Sequence, residues 1–130
     1  MANKLFSGGT PLGSGICDAA LGDAALVDLI AAYRRRVAGN YRPLRPEEIE
    51  TLPPGRILVS SKIDGELWFL VALQKQALLV NSRGKVIAGD VPALNQAKGL
   101  PDGVVIAGEL HAITEGKRAR VGDLAAGTCG

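Results

Sequence analysis

Apolar residues change their period partway along the chain, and the change marks out the expected elements. Over residues 23–38, Leu26, Ile30 and Tyr33 recur at helical spacing, with Val27 and Val37 beside the stripe. Asp23 suits an N-cap, Arg34-Arg35-Arg36 fall in the last turn where cations complement the helix dipole, and Gly39 stops the helix. Residues 46–50, Pro-Glu-Glu-Ile-Glu, read as a short helix with proline in its first turn and acids at its positive end. Pro53-Pro54-Gly55 closes that segment. From residue 56 the pattern is that of strands, expected at 56–61, 66–73, 77–81, 85–88 and 104–111. In the second of these, Leu67, Phe69 and Val71 alternate with Trp68, Leu70 and Ala72, so both faces are apolar and the strand is expected to be central. The tight turn at Ser82-Arg83-Gly84 and the one before it imply an antiparallel meander. Asp90 is expected to cap a short helix over 90–97, with Pro92 in its first turn, and 117–126 reads as the approach to another helix.

The remaining stretch, residues 1–22, holds Gly8, Gly9, Gly13, Gly15 and Pro11 among small residues and reads as a flexible N-terminal arm. Gly13-Ser14-Gly15 lacks the preceding strand and the following Gly-Lys-Ser/Thr that a phosphate loop requires. The chain thus divides into an arm at 1–22, a helical segment at 23–52 and a sheet-forming part at 53–130. The fold class expected is α/β (α+β), helices first and then a partial antiparallel sheet, whose incomplete edge would allow self-association.

Composition narrows this little. With 130 residues, 47% hydrophobic and 22% charged, the chain can build one core and carries the balance of a globular domain. A net charge of +2 is compatible with a nucleic-acid partner without arguing for one, because the only dense basic run is Arg34–Arg36 at a helix end. Cys17 and Cys129 have neither metal-type nor disulfide-framework spacing, and a reducing, cytoplasmic setting is the expectation. No segment approaches the roughly 20 apolar residues of a membrane span, and no membrane partner is expected. His111, the single histidine, has no second ligand or nucleophile beside it and reads as a strand-end residue.

The chemistry is concentrated at Lys62-Ile63-Asp64-Gly65. Alone, Asp-Gly between two apolar runs is a strong hairpin signal. Two further strings follow in order: Ser82-Arg83-Gly84, with Arg83 21 positions after the lysine (83 − 62), and Val104-Val-Ile-Ala-Gly-Glu109-Leu, with Glu109 47 positions after it (109 − 62). All three fall at expected strand ends. A lysine with the ordinary pKa near 10.4 is protonated at neutral pH and cannot attack. It must lose its proton in a desolvated pocket or beside cationic groups before it becomes a nucleophile.

The ordered trio resembles the covalent nucleotidyltransferases, which are ATP-dependent DNA ligases, RNA ligases and capping enzymes, over roughly residues 45–126. The resemblance implies a partial adenylation domain of ATP-grasp-like fold that uses ATP as AMP donor, with Mg2+. It implies that Lys62 forms a lysyl-AMP intermediate, that Asp64 orients the later transfer steps, and that Ser60 lines the adenine. It further implies that Arg83 contacts the ribose or a 5′-phosphate and that Glu109 binds the ribose hydroxyl. No residue is assigned to a metal. The implied activity is polynucleotide ligation on nicked nucleic acid, DNA ahead of RNA, in DNA repair or replication. RNA ligation and a non-catalytic nucleotide- or nucleic-acid-binding module are the alternatives. Two departures stand out. DNA ligases and capping enzymes commonly carry an arginine two residues past the motif glycine, where this chain has Leu67. The 21 residues after Glu109 (130 − 109) hold no Phe, Tyr or Trp and no Lys-x-Lys, and Glu115-Gly116 stands too close to Glu109 to serve as the family's metal-binding strand. The chain is therefore expected to be a fragment that is inactive alone.

Overall fold

Strand Glu66–Leu73 has apolar side chains on both faces, and the whole architecture is arranged around that fact. The structure, a computed structural model, describes residues 4–61, 65–114 and 116–118. Its elements in chain order are β1 (Phe6–Ser7), β2 (Thr10–Leu12), β3 (Gly15–Leu21), α1 (Ala24–Arg36), β4 (Glu66–Leu73), β5 (Gln76–Asn81), β6 (Lys85–Gly89), α2 (Pro92–Gln96), β7 (Val105–Leu110), β8 (Ile113–Thr114) and β9 (Lys117–Arg118). The first seven strands form one antiparallel sheet in the order β1-β3-β6-β5-β4-β7, with β2 also on β3. The molecule is thus mixed α and β, and the expected meander of β4, β5 and β6 is present. β4 is central, with β5 on one side and β7 on the other.

Each face of the sheet carries its own core. On the α1 side, Phe69, Val71, Leu78, Val80 and Val86 pack with Leu26 and Ile30 of the helix. On the α2 side, Trp68, Leu79 and Ile87 pack with Val91 and Leu94. Burial of such side chains contributes about 1.5–3 kcal/mol each, so β4, which feeds both clusters, binds the two layers together. The helix begins as its sequence predicts, because the Asp23 carboxylate accepts from Leu26 N at 3.0 Å. Tyr33 packs edge-on against Phe69, ring centroids 5.2 Å apart. A hydrogen bond with Tyr41, and then burial, hold the Tyr33 hydroxyl above its ordinary pKa.

Four expectations are corrected. Residues 4–22, the described part of the expected arm, are not loose: β1, β2 and β3 are strands, and β3 pairs with β6 inside the main sheet. Their glycines form turns and close contacts instead of a linker. A Cβ on Gly9, whose φ is +96°, would lie 2.7 Å from Ile16 Cγ2. Since Leu5, Ala19, Leu26, Ile30 and Phe69 share one core, the division at residues 22 and 52 does not correspond to separate units. Second, residues 56–61 form no strand. Both edges of β4 are already occupied by β5 and β7, so the preceding segment finds no ladder, and Ile57, Leu58 and Val59 stand exposed. Third, α2 starts at Pro92, and the Asp90 carboxylate lies outside the cap, accepting instead from the Asn95 side chain. Fourth, Lys117–Arg118 pair with Ile113–Thr114 as a second small sheet where a helix was expected to begin, and 119–126 lie outside the described residues. Residues 46–51 do form the expected short helix, of 3-10 type. Among the described residues no helix is long and apolar enough to cross a membrane.

The β4–β5 connection holds two non-glycine residues at positive φ, Gln74 at 50° and Lys75 at 59°. Such a conformation costs about 1–2 kcal/mol per residue when a Cβ is present. The main-chain N–H of Lys75 is held by the Asp102 carboxylate at 2.9 Å, a bond that glycine retains. Lys75→Gly is therefore expected to raise stability by about 1 kcal/mol, read as a higher urea midpoint with unchanged slope. A lower midpoint would show that the turn is relaxed as it stands.

Candidate functional site

Because β4 runs antiparallel to both neighbours, its first residues lie beside the last residues of β5 and β7. Trp68 is opposite Asn81, and Leu67 is opposite Glu109. The Arg83 and Glu109 strings therefore reach the sheet end at which β4 begins through pairing alone. Lys62 and Asp64 lie outside the described residues, and Gly65 is the part of the lysine string that is described.

Gly65 is fixed from two directions. Its N–H donates to the Glu109 carboxylate at 3.1 Å. A Cβ added to it would fall 2.4 Å from the Leu110 carbonyl oxygen and 3.0 Å from its carbon. Its φ is not in the left-handed region, so glycine is required here for close approach and not for a tight hairpin. Residues 56–61 do not pair with β4 as a hairpin partner would, since both edges of β4 are taken by β5 and β7.

The Arg83 turn is built from Asn81, which the sequence reading passed over. Asn81 is buried, and its Oδ1 accepts from the N–H groups of both Arg83 and Lys85 at 2.9 Å. Its carbonyl accepts from Gly84 N at 3.0 Å. An Asn directly before Ser-Arg-Gly is the signature of a side chain closing a turn, and could have been read as one. The turn leaves the Arg83 side chain exposed. Glu109 is also exposed, and so is Ser60 in the unpaired segment before the lysine. Leu67 is opposite Glu109 and packs partly buried against the α1 core. The position where DNA ligases and capping enzymes commonly carry arginine is here a partly buried leucine against the α1 core.

Trp68 sits between Asn81 on β5 and Gly108 on β7, and its indole N–H is buried without an acceptor among the described residues. An unsatisfied buried donor costs about 1–3 kcal/mol. His111 is exposed just beyond β7. No group of three or more His, Cys, Asp or Glu suited to a metal is found among the described residues. A depression of about 510 Å³ is lined by Lys4–Gly8, Gln74 and Gln76, at the opposite end of β4 from Glu109. Cys17 is a buried free thiol of the α2-side core, and Cys129 lies outside the described residues. Comparison with protein-family models, with curated proteins and with solved structures returns no match for this chain.

The arrangement assembles an exposed carboxylate, a guanidinium on a closed turn and a clamped glycine at one sheet end. Gly65→Ala is expected to destabilise the fold by about 1–3 kcal/mol, since the added methyl meets backbone that cannot swing away. Asn81→Leu should cost about 2 kcal/mol by leaving two turn N–H groups unpaired. Denaturant titration checks both, and a Gly65→Ala chain as stable as the parent would remove the close-approach argument.

Proposed function

We propose that this chain carries the nucleophile-bearing part of the adenylation domain of an ATP-dependent polynucleotide ligase, with nicked DNA ahead of RNA as the acceptor. The observation that carries the reading is the Glu109–Gly65 contact. Two strings 44 residues apart, each suggested independently by its residue types, touch at 3.1 Å. The Arg83 turn at the same sheet end supports it. The finer fold assignment, an ATP-grasp-like nucleotidyltransferase domain, belongs to the same proposal.

In this reading the Lys62 amine, having released its proton, attacks the α-phosphorus of ATP. The N–P bond forms as the bond to the pyrophosphate oxygen breaks, leaving lysyl-AMP and free pyrophosphate. Glu109 accepts a hydrogen bond from a ribose hydroxyl while its second interaction keeps Gly65 in place. Arg83 offers a planar fork of donors to negative oxygen, on the nucleotide or on a 5′-phosphate. Ser60 lies along the adenine, and Asp64 orients the later transfer to the nucleic acid. Positioning and neutralisation of spreading negative charge supply most of the catalysis in such transfers. A divalent ion such as Mg2+, carried on the triphosphate, would add to that neutralisation.

The test is intact mass spectrometry under denaturing conditions after incubation with ATP and Mg2+, on this chain and on any longer protein that contains it. The expected result is a gain of one AMP per chain, lost in Lys62→Ala and reduced about ten- to hundredfold in rate in Glu109→Ala. Thermal melting with ATP is measured alongside, since a ligand at a hundredfold excess over its dissociation constant stabilises by about 2.7 kcal/mol. Stabilisation without an adduct in any version points to a non-catalytic nucleotide-binding module. Neither effect in any version sinks the proposal.

A further inference from the structure

The sheet's two boundaries are unlike each other. One is closed off by β1 and β2, strands of two and three residues that are too short to template pairing. The other is β7, six residues long, with Glu109 as its single charged side chain. Ala72 N donates to the Val104 carbonyl at 2.9 Å, so residues 104, 106, 108 and 110 turn their N–H and C=O groups toward β4. Those of Val105, Ala107 and Glu109 point outward. No strand pairs with them among the described residues. The edge carries none of the usual protections of proline, lysine or a bulge.

Apolar surface continues past this edge on both faces. On one, α1 overhangs β7 and leaves a mostly apolar groove of about 230 Å³ lined by Leu29, Tyr33, Val37, Val105 and Ala107, with Arg36 as its one charged residue. Leu29 and Val37 are exposed there, and Ile106 is exposed on the opposite face. The same chain holds a strand-forming segment with nothing to pair to. In residues 57–61, Ile57 and Val59 fall on one face of an extended chain and Leu58 on the other, all three exposed. Laid along Val105–Glu109, a segment of equal length, Ile57 and Val59 would fill the groove under α1 while Leu58 covers Ile106.

We propose that residues 56–61 of one copy add as a strand to the free edge of β7 in a second copy, and reciprocally, to give a two-fold symmetric dimer. A second copy is the occupant because each chain holds, along with its free edge, a segment of matching length and pattern that lies exposed and joins no strand of its own chain among the described residues. Reciprocal exchange also closes the assembly, since each copy supplies one strand and one edge and neither is left over. The dimer does not depend on the lysine chemistry.

Sedimentation or light scattering on the full chain over a range of concentrations is expected to give twice the 13.5 kDa of one chain. Leu58→Lys alters only an exposed residue of the segment. Ala107→Pro removes an outward N–H and leaves the bonds to β4 in place, as proline on an edge strand allows. Each variant alone should run as one chain, with cooperative melting showing that it is folded. Mixed in equal amounts they should recover dimers, because the intact segment of the Ala107→Pro chain fits the intact edge of the Leu58→Lys chain. A one-chain mass at every concentration overturns the proposal, whether residues 57–61 then prove protected from amide exchange by their own chain or take no partner. So does a dimer indifferent to Leu58→Lys.

Discussion

The pairing of β4 on both sides, with burial on both faces, is the constraint from which the rest follows. A strand with two neighbours has no hydrogen-bonding capacity left for a third, and one with two apolar faces must be covered twice. α1 covers one face and α2, with its preceding loop, the other. The same saturation turns residues 56–61 away from β4 and leaves them unpaired, although their composition would suit a strand. It also brings the ends of β5 and β7 to the start of β4, so one topological fact produces both the core and the placement of Glu109 and the Arg83 turn at one sheet end.

Periodicity made the interior legible. The bounds of β4 agree with its apolar run, and Asp23 caps α1 where expected. Those features are local, written in residue type and spacing. What could not be read was pairing between distant segments. Nothing in 56–61 announces that β4 is already taken, because that depends on β7, some 40 positions later. β3 was missed for the converse reason. Its residues are small, its apolar signal is weak, and the glycines around it look like a linker until the strands they turn are known. A bulge at Asp18, with φ of 55°, further interrupts its alternation.

The site shows the same division. Arg83 and Glu109 were nameable from their strings, and their arrival at one sheet end follows from a register that the antiparallel meander makes plausible in advance only for β5. The partners that hold them are long-range. Glu109 reaches Gly65 across β7 and β4, and the glycine's role is contact with Leu110, not a left-handed turn. Asn81 was overlooked because a buried asparagine at a strand end looks like a polar interruption until its two accepted hydrogen bonds are seen. Leu67 shows how a departure from an expected pattern can have a structural cause. At that register the side chain packs partly buried against the α1 core, a contact that leucine makes with apolar atoms alone.

A saturated central strand beside an unsaturated edge leaves an imbalance that the chain must resolve with other material. The free groups of β7 and the exposed apolar residues at 57–59 are two halves of one missing ladder, and each is destabilising only while the other is absent. This also bears on the candidate site. Ser60 lies one residue before the end of the unpaired segment and Glu109 is the last outward-facing residue of the β7 edge, so a strand laid along that edge would end beside the carboxylate that holds Gly65. Ordering the segment that leads into the lysine string and protecting the edge that carries Glu109 are then one event. A pocket formed there would be rigid only after the sheet had gained its next strand.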